Sequence, residues 1–245
     1  MLNNRFNWQA LPRALAIFSD PVDFLWNSST GRFPSQMKVR SPIGPVTIAL
    51  RNYESLKTCF SIFAREDYRT DPRSRFMVLD IGANIGVAAL YFLSRNRFNR
   101  VRCYEPDPAN LDYLRRNLEP FGDRVEIVEK AVAPRSGTAT LFRAVDGKHS
   151  SLRQDVAVSN GFAAESPTEL VAFDDVLRGA EGESGELLVK IDVEGIEPDL
   201  VRSVNFSDHP RVRRVLVEST RCSVLIKRPH RRILRIDSIE DIQFT

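Results

Sequence analysis

The feature that most constrains the fold is a repeated alternation of apolar strands and amphipathic helices, which begins near residue 76 of this 245-residue chain. "FMVLDI" and "RVRCYE" have the composition of buried strands, and "NIGVAALYFLSRN" and "PANLDYLRRNL" have the apolar spacing of helices. "RVEIVEKAV", "ELLVKID" and "RVLVES" continue the series of strands, and "CSVLIK" and "RILRID" are expected to close the sheet. This alternation predicts an α/β fold with a doubly wound, mostly parallel sheet that is covered on both faces.

The first 75 residues have a different pattern. A short apolar patch predicts a helix near Leu11–Phe18, and two short runs typical of strands flank a turn at residues 41–45 that contains proline and glycine. Apolar residues at helical spacing predict a further helix around residues 56–63. We therefore expect a small N-terminal extension over residues 1–75 and a single α/β domain over residues 76–245.

Composition limits the classes of protein that fit this chain. Its apolar content of 42% and charged content of 27% are ordinary for a globular domain. No apolar run approaches the ~20 residues that span a bilayer, and the patch at Leu15–Phe18 is too short for a signal peptide, so we expect a cytoplasmic protein. The three separated cysteines, Cys59, Cys103 and Cys222, predict free thiols, and no set of residues indicates a metal site.

Basic residues are concentrated near the C-terminus. Residues 211–235 contain nine lysines and arginines but a single acid, Glu218. Such a patch can bind phosphate or nucleic acid, but it is more often a solvated face. If it is a solvated face, the fold should tolerate neutral substitutions at Arg228, Arg231 and Arg232.

The first strand of the α/β region ends in a glycine loop, "LDIGANIG", residues 79–86. Glycine at Gly82 and Gly86 permits a tight turn and a close approach of the backbone to a ligand. The loop is not the dinucleotide pattern GxGxxG, because Asp80 precedes it and Asn84 stands where a glycine would be expected. A carboxylate at this position disfavours a pyrophosphate and suits a ligand with an ammonium group, such as S-adenosylmethionine.

The ends of the next two strands support a cofactor of this kind. Glu105 ends the second strand, nineteen residues after Gly86, where an acid suits the hydroxyls of a ribose. The third strand ends at Lys130–Val132, where backbone amides would meet an adenine edge. The alternative for Asp80 and Glu105 is ordinary helix capping. The predicted cofactor-binding residues are Asp80, Gly82, Ala83, Asn84, Gly86, Glu105, Pro106, Lys130 and Ala131.

Four segments together resemble the FkbM-type S-adenosylmethionine-dependent methyltransferases. They are "VLDIGANIG", "YEPDP", "AVAPRSGTATLF" and, most specifically, "KIDVEGIEPDLV", and the resemblance covers roughly residues 60–220. It implies a Rossmann-like class I methyltransferase sheet and methyl transfer to a hydroxyl oxygen, often on a sugar or a polyketide-like natural product. The sequence departs from the family at "VLVEST", since relatives often have a histidine after this glutamate and Ser219 and Thr220 follow here.

The resemblance gives a function to the charges in "KIDVEG". Lys190, Asp192 and Glu194 would share one face of a core strand wherever that strand is regular, and buried charges are costly unless they are paired. At the carboxyl end of the strand they would line the cleft instead. Asp192 would hold or deprotonate the acceptor, Lys190 would keep Asp192 ionised, and Glu194 would orient the acceptor or share the role of base. The alternative is a structural Lys190–Asp192 ion pair, with Glu194 capping the next helix.

The acceptor implied by the resemblance is a hydroxylated small molecule or a glycan. Two other interpretations remain open: an RNA methyltransferase, favoured by the basic C-terminal region, and a cofactor-binding domain without catalysis that serves a protein partner. "AREDYR", residues 64–69, is either a lid over the cofactor or a solvated helix end. His149 is either a base on a loop over the acceptor or an exposed side chain.

Overall fold

The computed structural model describes residues 10–145, 147–219, 222–226, 228, 230–236 and 238–244. Its strands are β1 (Gln36–Val39), β2 (Val46–Ala49), β3 (Phe76–Ile81), β4 (Arg100–Tyr104), β5 (Val125–Val128), β6 (Ala131–Ala133), β7 (Gly137–Ala144), β8 (Phe162–Ala172), β9 (Glu186–Ile191), β10 (Val212–Val217), β11 (His230–Ile236) and β12 (Ile239–Phe244). Its α-helices are α1 (Leu11–Ile17), α2 (Pro21–Thr30), α3 (Tyr53–Cys59), α4 (Val87–Arg95), α5 (Pro108–Leu118), α6 (Gln154–Ser159), α7 (Phe173–Arg178) and α8 (Glu197–Ser203).

Seven strands form the central sheet in the order β5-β4-β3-β9-β10-β12-β11. Six of these described strands run in the same direction, and β12 runs antiparallel to them. Alternate residues point to opposite faces, so Val78 and Leu188 join the apolar core beneath α4, whereas Leu79 and Val189 join the core beneath α7 and α8. The predicted doubly wound, mostly parallel α/β fold is confirmed.

The N-terminal residues share the core on the α4 face of the sheet. The Phe24 and Phe60 rings stack with centroids 5.8 Å apart, and Phe63 meets Tyr91 of α4 edge to face at 5.4 Å. The predicted hairpin is present as β1 and β2, and α1 lies where a short helix is expected. Helix α2 has no counterpart among the predicted elements. A one-turn π-helix, Phe60–Ala64, continues α3 toward the sheet and thereby joins the N-terminal segment to it.

Two predicted strands are wrong in their details. "RVEIVEKAV" divides into β5, which pairs with β4, and β6, which pairs with β8 in a separate three-stranded sheet with β7. "CSVLIK" forms a 3₁₀ turn at Cys222–Leu225 instead of a strand, because the Ser223 N–H donates to Glu240 Oε2 at 2.7 Å and draws the turn onto β12. Strand β12, which was not predicted, occupies the place between β10 and β11.

Two arginines of the basic C-terminal region bind groups of the protein itself. Arg228 is only 9% exposed, donates from Nη1 to the carbonyl of Val212 at 2.9 Å and lies 4.5 Å from the Phe244 ring centroid. Arg214 binds both oxygens of Asp241 at 2.7 and 2.9 Å. The solvated-face interpretation is therefore wrong for Arg228, although Arg232 is exposed. The side chain of Arg231 lies outside the described part of the chain.

The cysteines at residues 59, 103 and 222 are free and buried, as predicted. None of the described helices is both long enough and apolar enough to cross a bilayer.

The two glycines of the loop after β3 are required for different reasons. Gly82 has φ +78°, and a Cβ there would lie 1.8 Å from the carbonyl oxygen of Asp192. This close approach sets the end of β3 against the end of β9. Gly86 has φ +87°, and a Cβ there would lie 2.7 Å from Cδ1 of Leu114 on α5. Gly86 therefore permits the close packing of the start of α4 on α5.

Replacing Gly82 with alanine should destabilise the fold far more than the same change at Gly31. Both residues have positive φ, but a Cβ at Gly31 meets no atom within 4 Å. Gly31→Ala should lower the free energy of unfolding by only ~1–2 kcal/mol, which is the cost of a positive φ for a residue with a Cβ. Gly82→Ala should cost a further ~1–3 kcal/mol, because the backbone of β9 must move. Urea denaturation of both variants measures the difference, and equal losses would contradict the close approach.

Candidate active site

A cavity of about 1140 Å³ opens at the carboxyl ends of the central strands. This is where ligands bind in open α/β sheets. Nine of the twelve predicted site residues line it: Gly82, Ala83, Asn84, Glu105, Pro106, Ala131, Lys190, Asp192 and Glu194. The structure thus brings the glycine loop and the end of β9 to one cavity.

Glu105 follows β4 and is held in place at the cavity wall by three donors. Its Oε2 accepts from the Asn84 N–H at 2.7 Å, and its Oε1 accepts from the Asp107 N–H at 2.9 Å and from Asn110 Nδ2 at 3.2 Å. A carboxylate has about four acceptor sites, so about one remains for a ligand hydroxyl. Burial raises the pKa of Glu105 to about 7. Capping of α5 is the role of Asp107, which accepts from the Ala109 N–H.

Asp80 lies beneath the glycine loop and away from the cavity lining. Its side chain is fully buried, and Lys190 Nζ lies 3.0 Å from its Oδ1. The same ammonium group donates to the carbonyl of Gly82 at 2.6 Å and lies 3.6 Å from Oδ2 of Asp192. The predicted ion pair of Lys190 with Asp192 is therefore present, but it is the longer of two. The shorter ion pair joins Lys190 to Asp80, which directly faces it in the register of β3 and β9.

Two further predicted residues do not line the cavity. Gly86 is enclosed by α5, as its contact with Leu114 shows. The side chain of Lys130 is exposed and forms an ion pair with Glu169 of β8 at 2.7 Å. Only the residues that follow it, Ala131 and Val132, line the cavity.

Three carboxylates meet on the far side of the cavity from Glu105: Asp192, Glu194 and Glu218. The regular part of β9 ends at Ile191, so Asp192 and Glu194 belong to the turn that follows it. The side chain of Asp192 is 19% exposed. Glu194 has φ +55°, a strained backbone for this residue type, and its carbonyl accepts a 2.6 Å hydrogen bond from the Ser151 hydroxyl.

The electrostatics of this acidic cluster favour partial protonation near neutral pH. Burial, followed by the charge of Asp192, raises the pKa of Glu194 to about 8. Asp192, followed by burial, raises the pKa of Glu218 to about 7. The charge of Lys148, which also lines the cavity, lowers the pKa of both residues and so opposes these shifts. No group of three histidine, cysteine or acidic side chains among the described residues has the arrangement of a metal site.

Glu194 does not cap helix α8. The residue that satisfies the backbone before this helix is Glu197, whose carboxylate accepts from the Val193 N–H at 3.1 Å and from the Gly195 N–H at 3.0 Å. The carboxyl group of Glu194 is therefore left for the cavity. Strain at a residue of this kind often marks a functional site.

The cavity is also lined by Tyr68, Lys148 and Glu218, which were not among the predicted catalytic or cofactor-binding residues. Tyr68 lies within residues 64–69, the segment that the sequence marked as a possible lid. Glu218 had a visible signal, because it directly follows core strand β10 as Asp192 directly follows β9. Lys148 had none, since it lies on a loop whose position depends on tertiary contacts.

The segment "AREDYR" forms part of one wall of the cavity. Tyr68 is buried there, and burial, followed by the charges of Asp192 and Glu218, raises its pKa well above the ordinary value. Arg65 binds Asp67 beside it, with Nε 2.6 Å from Oδ1. The segment is therefore neither a solvated helix end nor remote from the acids.

The loop after β7 lies over the same cavity. The carbonyl of Gly147 accepts from Asn110 Nδ2 at 3.0 Å, and the Ser150 hydroxyl donates to Oδ2 of Asp107 at 3.0 Å. At its other end the loop is tied to Glu194 through Ser151. His149 lines the cavity between these two attachments, and its role as a base stays a prediction.

Comparison with known proteins gives the family. The profile of the methyltransferase FkbM domain matches residues 80–224, which is more than half of the chain. The chain belongs to the FkbM methyltransferase family. This confirms the resemblance drawn from the sequence, and the observed sheet confirms the Rossmann-like class I architecture that the resemblance implied.

Two curated relatives support the family. The chain is 27% identical to the 31-O-demethyl-FK506 methyltransferase FkbM of Streptomyces tacrolimicus, over 58% of this chain and 64% of that protein. It is 29% identical to the methyltransferase sdnD of Sordaria araneosa, over 60% of this chain and 67% of that protein.

Solved structures are similar at lower identity. The methyltransferase FkbM of Methylobacillus flagellatus aligns with a TM-score of 0.41 and 16% identity, over 71% of this chain and 46% of that one. The SAH-bound methyltransferase PaMTH1 of Podospora anserina aligns with a TM-score of 0.42 and 12% identity, over 98% and 97% of the two chains. The chain thus spans less than two thirds of the Streptomyces relative and less than half of the Methylobacillus protein.

Proposed function

We propose that the protein is an S-adenosylmethionine-dependent methyltransferase that methylates a hydroxyl oxygen of a sugar, glycan or natural-product acceptor. The observation that carries the proposal is the single cavity that joins the glycine loop and Glu105 to the carboxylate of Asp192. Family membership supports the reaction type. The name of the Streptomyces relative specifies an O-demethyl form of FK506, which supports a hydroxylated natural product as the acceptor class.

The residues present fit S-adenosylmethionine. Gly82 lines the cavity, and Glu105 keeps about one acceptor site for a ribose hydroxyl. The cavity exceeds the ~300–1,000 Å³ that one ligand usually occupies, which leaves room for an acceptor beside the cofactor. Gly82, Ala83, Asn84, Glu105, Pro106 and Ala131 would hold the cofactor. Asp80 would act indirectly, by fixing the loop through Lys190.

When bound, S-adenosylmethionine supplies an electrophilic methyl group on a sulfonium. The protein's part is to align the acceptor oxygen with that carbon, and alignment of this kind supplies ~7–11 kcal/mol of the barrier reduction. Asp192 accepts the proton of the acceptor hydroxyl, which contributes roughly 10²–10⁴-fold. Glu194 orients the acceptor, and Lys190 acts as a positioning residue because its ammonium group is held by Asp80 and the loop carbonyl.

The two other interpretations lose support. An RNA methyltransferase was favoured by the basic C-terminal region, but Arg214 and Arg228 in that region bind groups of the protein itself. A cofactor-binding domain without catalysis would not need acids beside the cofactor, and the cavity retains Asp192, Glu194 and Glu218.

The purified protein should bind S-adenosylhomocysteine in preference to NAD, and Glu105→Gln should weaken that binding. Loss of a charge-assisted hydrogen bond corresponds to ~1–3 kcal/mol. The matched control is Lys130→Gln, which removes a charged side chain that points to Glu169 at the surface and should leave affinity unchanged. Isothermal titration calorimetry measures the affinity of the unaltered protein and of both variants. Tight binding of NAD, or equal affinity in the two variants, would contradict the cofactor assignment.

Asp192→Asn should lose ~10²-fold or more in turnover while keeping its cofactor affinity and its melting temperature. Stability is retained because Lys190 still pairs with Asp80. Release of S-adenosylhomocysteine is followed with a panel of hydroxylated sugars and polyketides.

Turnover should rise with pH through about 7 to 8, since the raised pKa values of Glu218 and Glu194 keep protons on the cluster below that range.

Glu218→Gln is the companion variant for that profile. It removes a negative neighbour that raises the pKa of Glu194, so Glu194 loses its proton more readily and the rise in turnover should move to lower pH. An unshifted profile would disconnect the cluster from the reaction. An Asp192→Asn protein that melts much earlier, yet turns over normally while folded, would show that Asp192 has only a structural role.

A further inference from the structure

A second cavity, of about 410 Å³, lies at the opposite end of the central sheet from the methyltransferase cavity. It is formed where β3, β4, β5 and β9 begin, and the six residues of β3 separate it from the glycine loop by roughly 20 Å. Its lining residues are Arg75, Arg97, Phe98, Arg100, Asp123, Arg124, Ser184 and Gly185. Four of these eight residues are arginines and one is an acid.

Two of the four arginines are occupied by the protein. Arg124 donates from Nη1 to the carbonyls of Leu93 and Asn96, both at 3.3 Å, and so completes the end of α4. Arg100 donates to the carbonyl of Asp123 at 2.6 Å, and its guanidinium lies 3.8 Å from the carboxylate of the same residue. That carboxylate is the only negative group in the described lining, so the cavity retains an excess of positive charge.

The other two arginines, Arg75 and Arg97, lie on one exposed ring. Their guanidinium carbons lie 4.2 and 5.4 Å from the ring centroid of Phe98, which is 52% exposed. Both arginines are exposed, and neither has a carboxylate within 4 Å among the described residues. Two guanidinium groups that share one ring repel each other, and a bound anion relieves that repulsion.

The backbone around the ring is fixed by the side-chain amides of Asn96 and Asn99. Asn96 donates to the carbonyls of Pro72 and Ser74 at 2.8 and 3.1 Å and accepts from the Phe98 N–H at 2.9 Å. Asn99 accepts from the Phe76 N–H at 2.9 Å. These bonds join the segment before β3 to the segment before β4, so that Arg75 and Arg97 reach the ring from a preorganised frame.

We propose that this arginine cavity binds a phosphoryl group. A guanidinium offers paired N–H donors that match the oxygens of phosphate, and the two unengaged arginines, Arg75 and Arg97, suit a dianion better than a singly charged carboxylate. The phosphoryl group belongs either to a small phosphorylated molecule or to the backbone of a single-stranded nucleic acid. The site is separate from the methyltransferase cavity, so its occupancy requires no change in the residues that bind the cofactor.

Direct titration with inorganic pyrophosphate and with a short oligouridylate, both at low ionic strength, tests the proposal on the full chain. Arg75→Gln combined with Arg97→Gln removes the two unengaged guanidinium groups. Arg73→Gln combined with Arg213→Gln is the matched control, since both are exposed arginines outside the cavity lining and the net charge change is the same. Melting temperatures and S-adenosylhomocysteine affinity are measured on all preparations and should be unchanged.

The cavity variant should lose about tenfold or more in affinity for pyrophosphate, for oligouridylate or for both, whereas the control should lose less than about twofold. Loss for pyrophosphate identifies a small phosphorylated ligand, and loss for oligouridylate alone identifies a nucleic acid backbone. No binding of either probe by the unaltered protein would overturn the proposal. Equal losses in the cavity variant and the control would overturn it as well, because they would reflect net charge alone.

Discussion

The candidate active site depends on one buried ammonium group, that of Lys190. It lies 3.0 Å from the carboxylate of Asp80, 2.6 Å from the carbonyl of Gly82 and 3.6 Å from the carboxylate of Asp192. Burial alone would lower its pKa, but the charges of Asp80 and Asp192 prevail and hold the pKa above its ordinary value. A charge at this depth is stable only with such partners. The pairing therefore fixes the ends of β3 and β9 relative to each other.

The remaining walls of the cavity are positioned against this fixed pair of strand ends. Gly82 contacts the backbone of Asp192 so closely that no side chain fits between them. The loop after β7 is tied to both sides, through Asn110 near Glu105 and through Ser151 at Glu194. The N-terminal segment adds Tyr68 beside the acids. The glycine loop and Glu105 thus line one cavity together with the acids Asp192, Glu194 and Glu218. The elements that carry these residues share the apolar core of the sheet.

The sequence predicted features that depend on local pattern and missed those that depend on tertiary pairing. The alternation of strands and helices, the glycine loop and the acids after β4 and β9 all carry local signals. The partner of Lys190 does not, because it depends on the register of β3 against β9, which places Asp80 directly opposite. The alternation of side chains along the strand that contains Lys190 instead pointed to Asp192 as its partner. Tyr68 and Lys148 lie in segments that the sequence marked as possible coverings of the site, but their positions beside the acids depend on tertiary contacts.

A double-mutant cycle on Asp80→Asn and Lys190→Met, followed by urea denaturation, tests most directly whether this ion pair holds the site together. Lys190→Met alone should lower the free energy of unfolding by ~3–5 kcal/mol, because it leaves Asp80 buried without a partner. The double variant should recover most of that loss, because neither charge then remains buried. Losses that simply add would show that the two residues act independently, and would contradict the account.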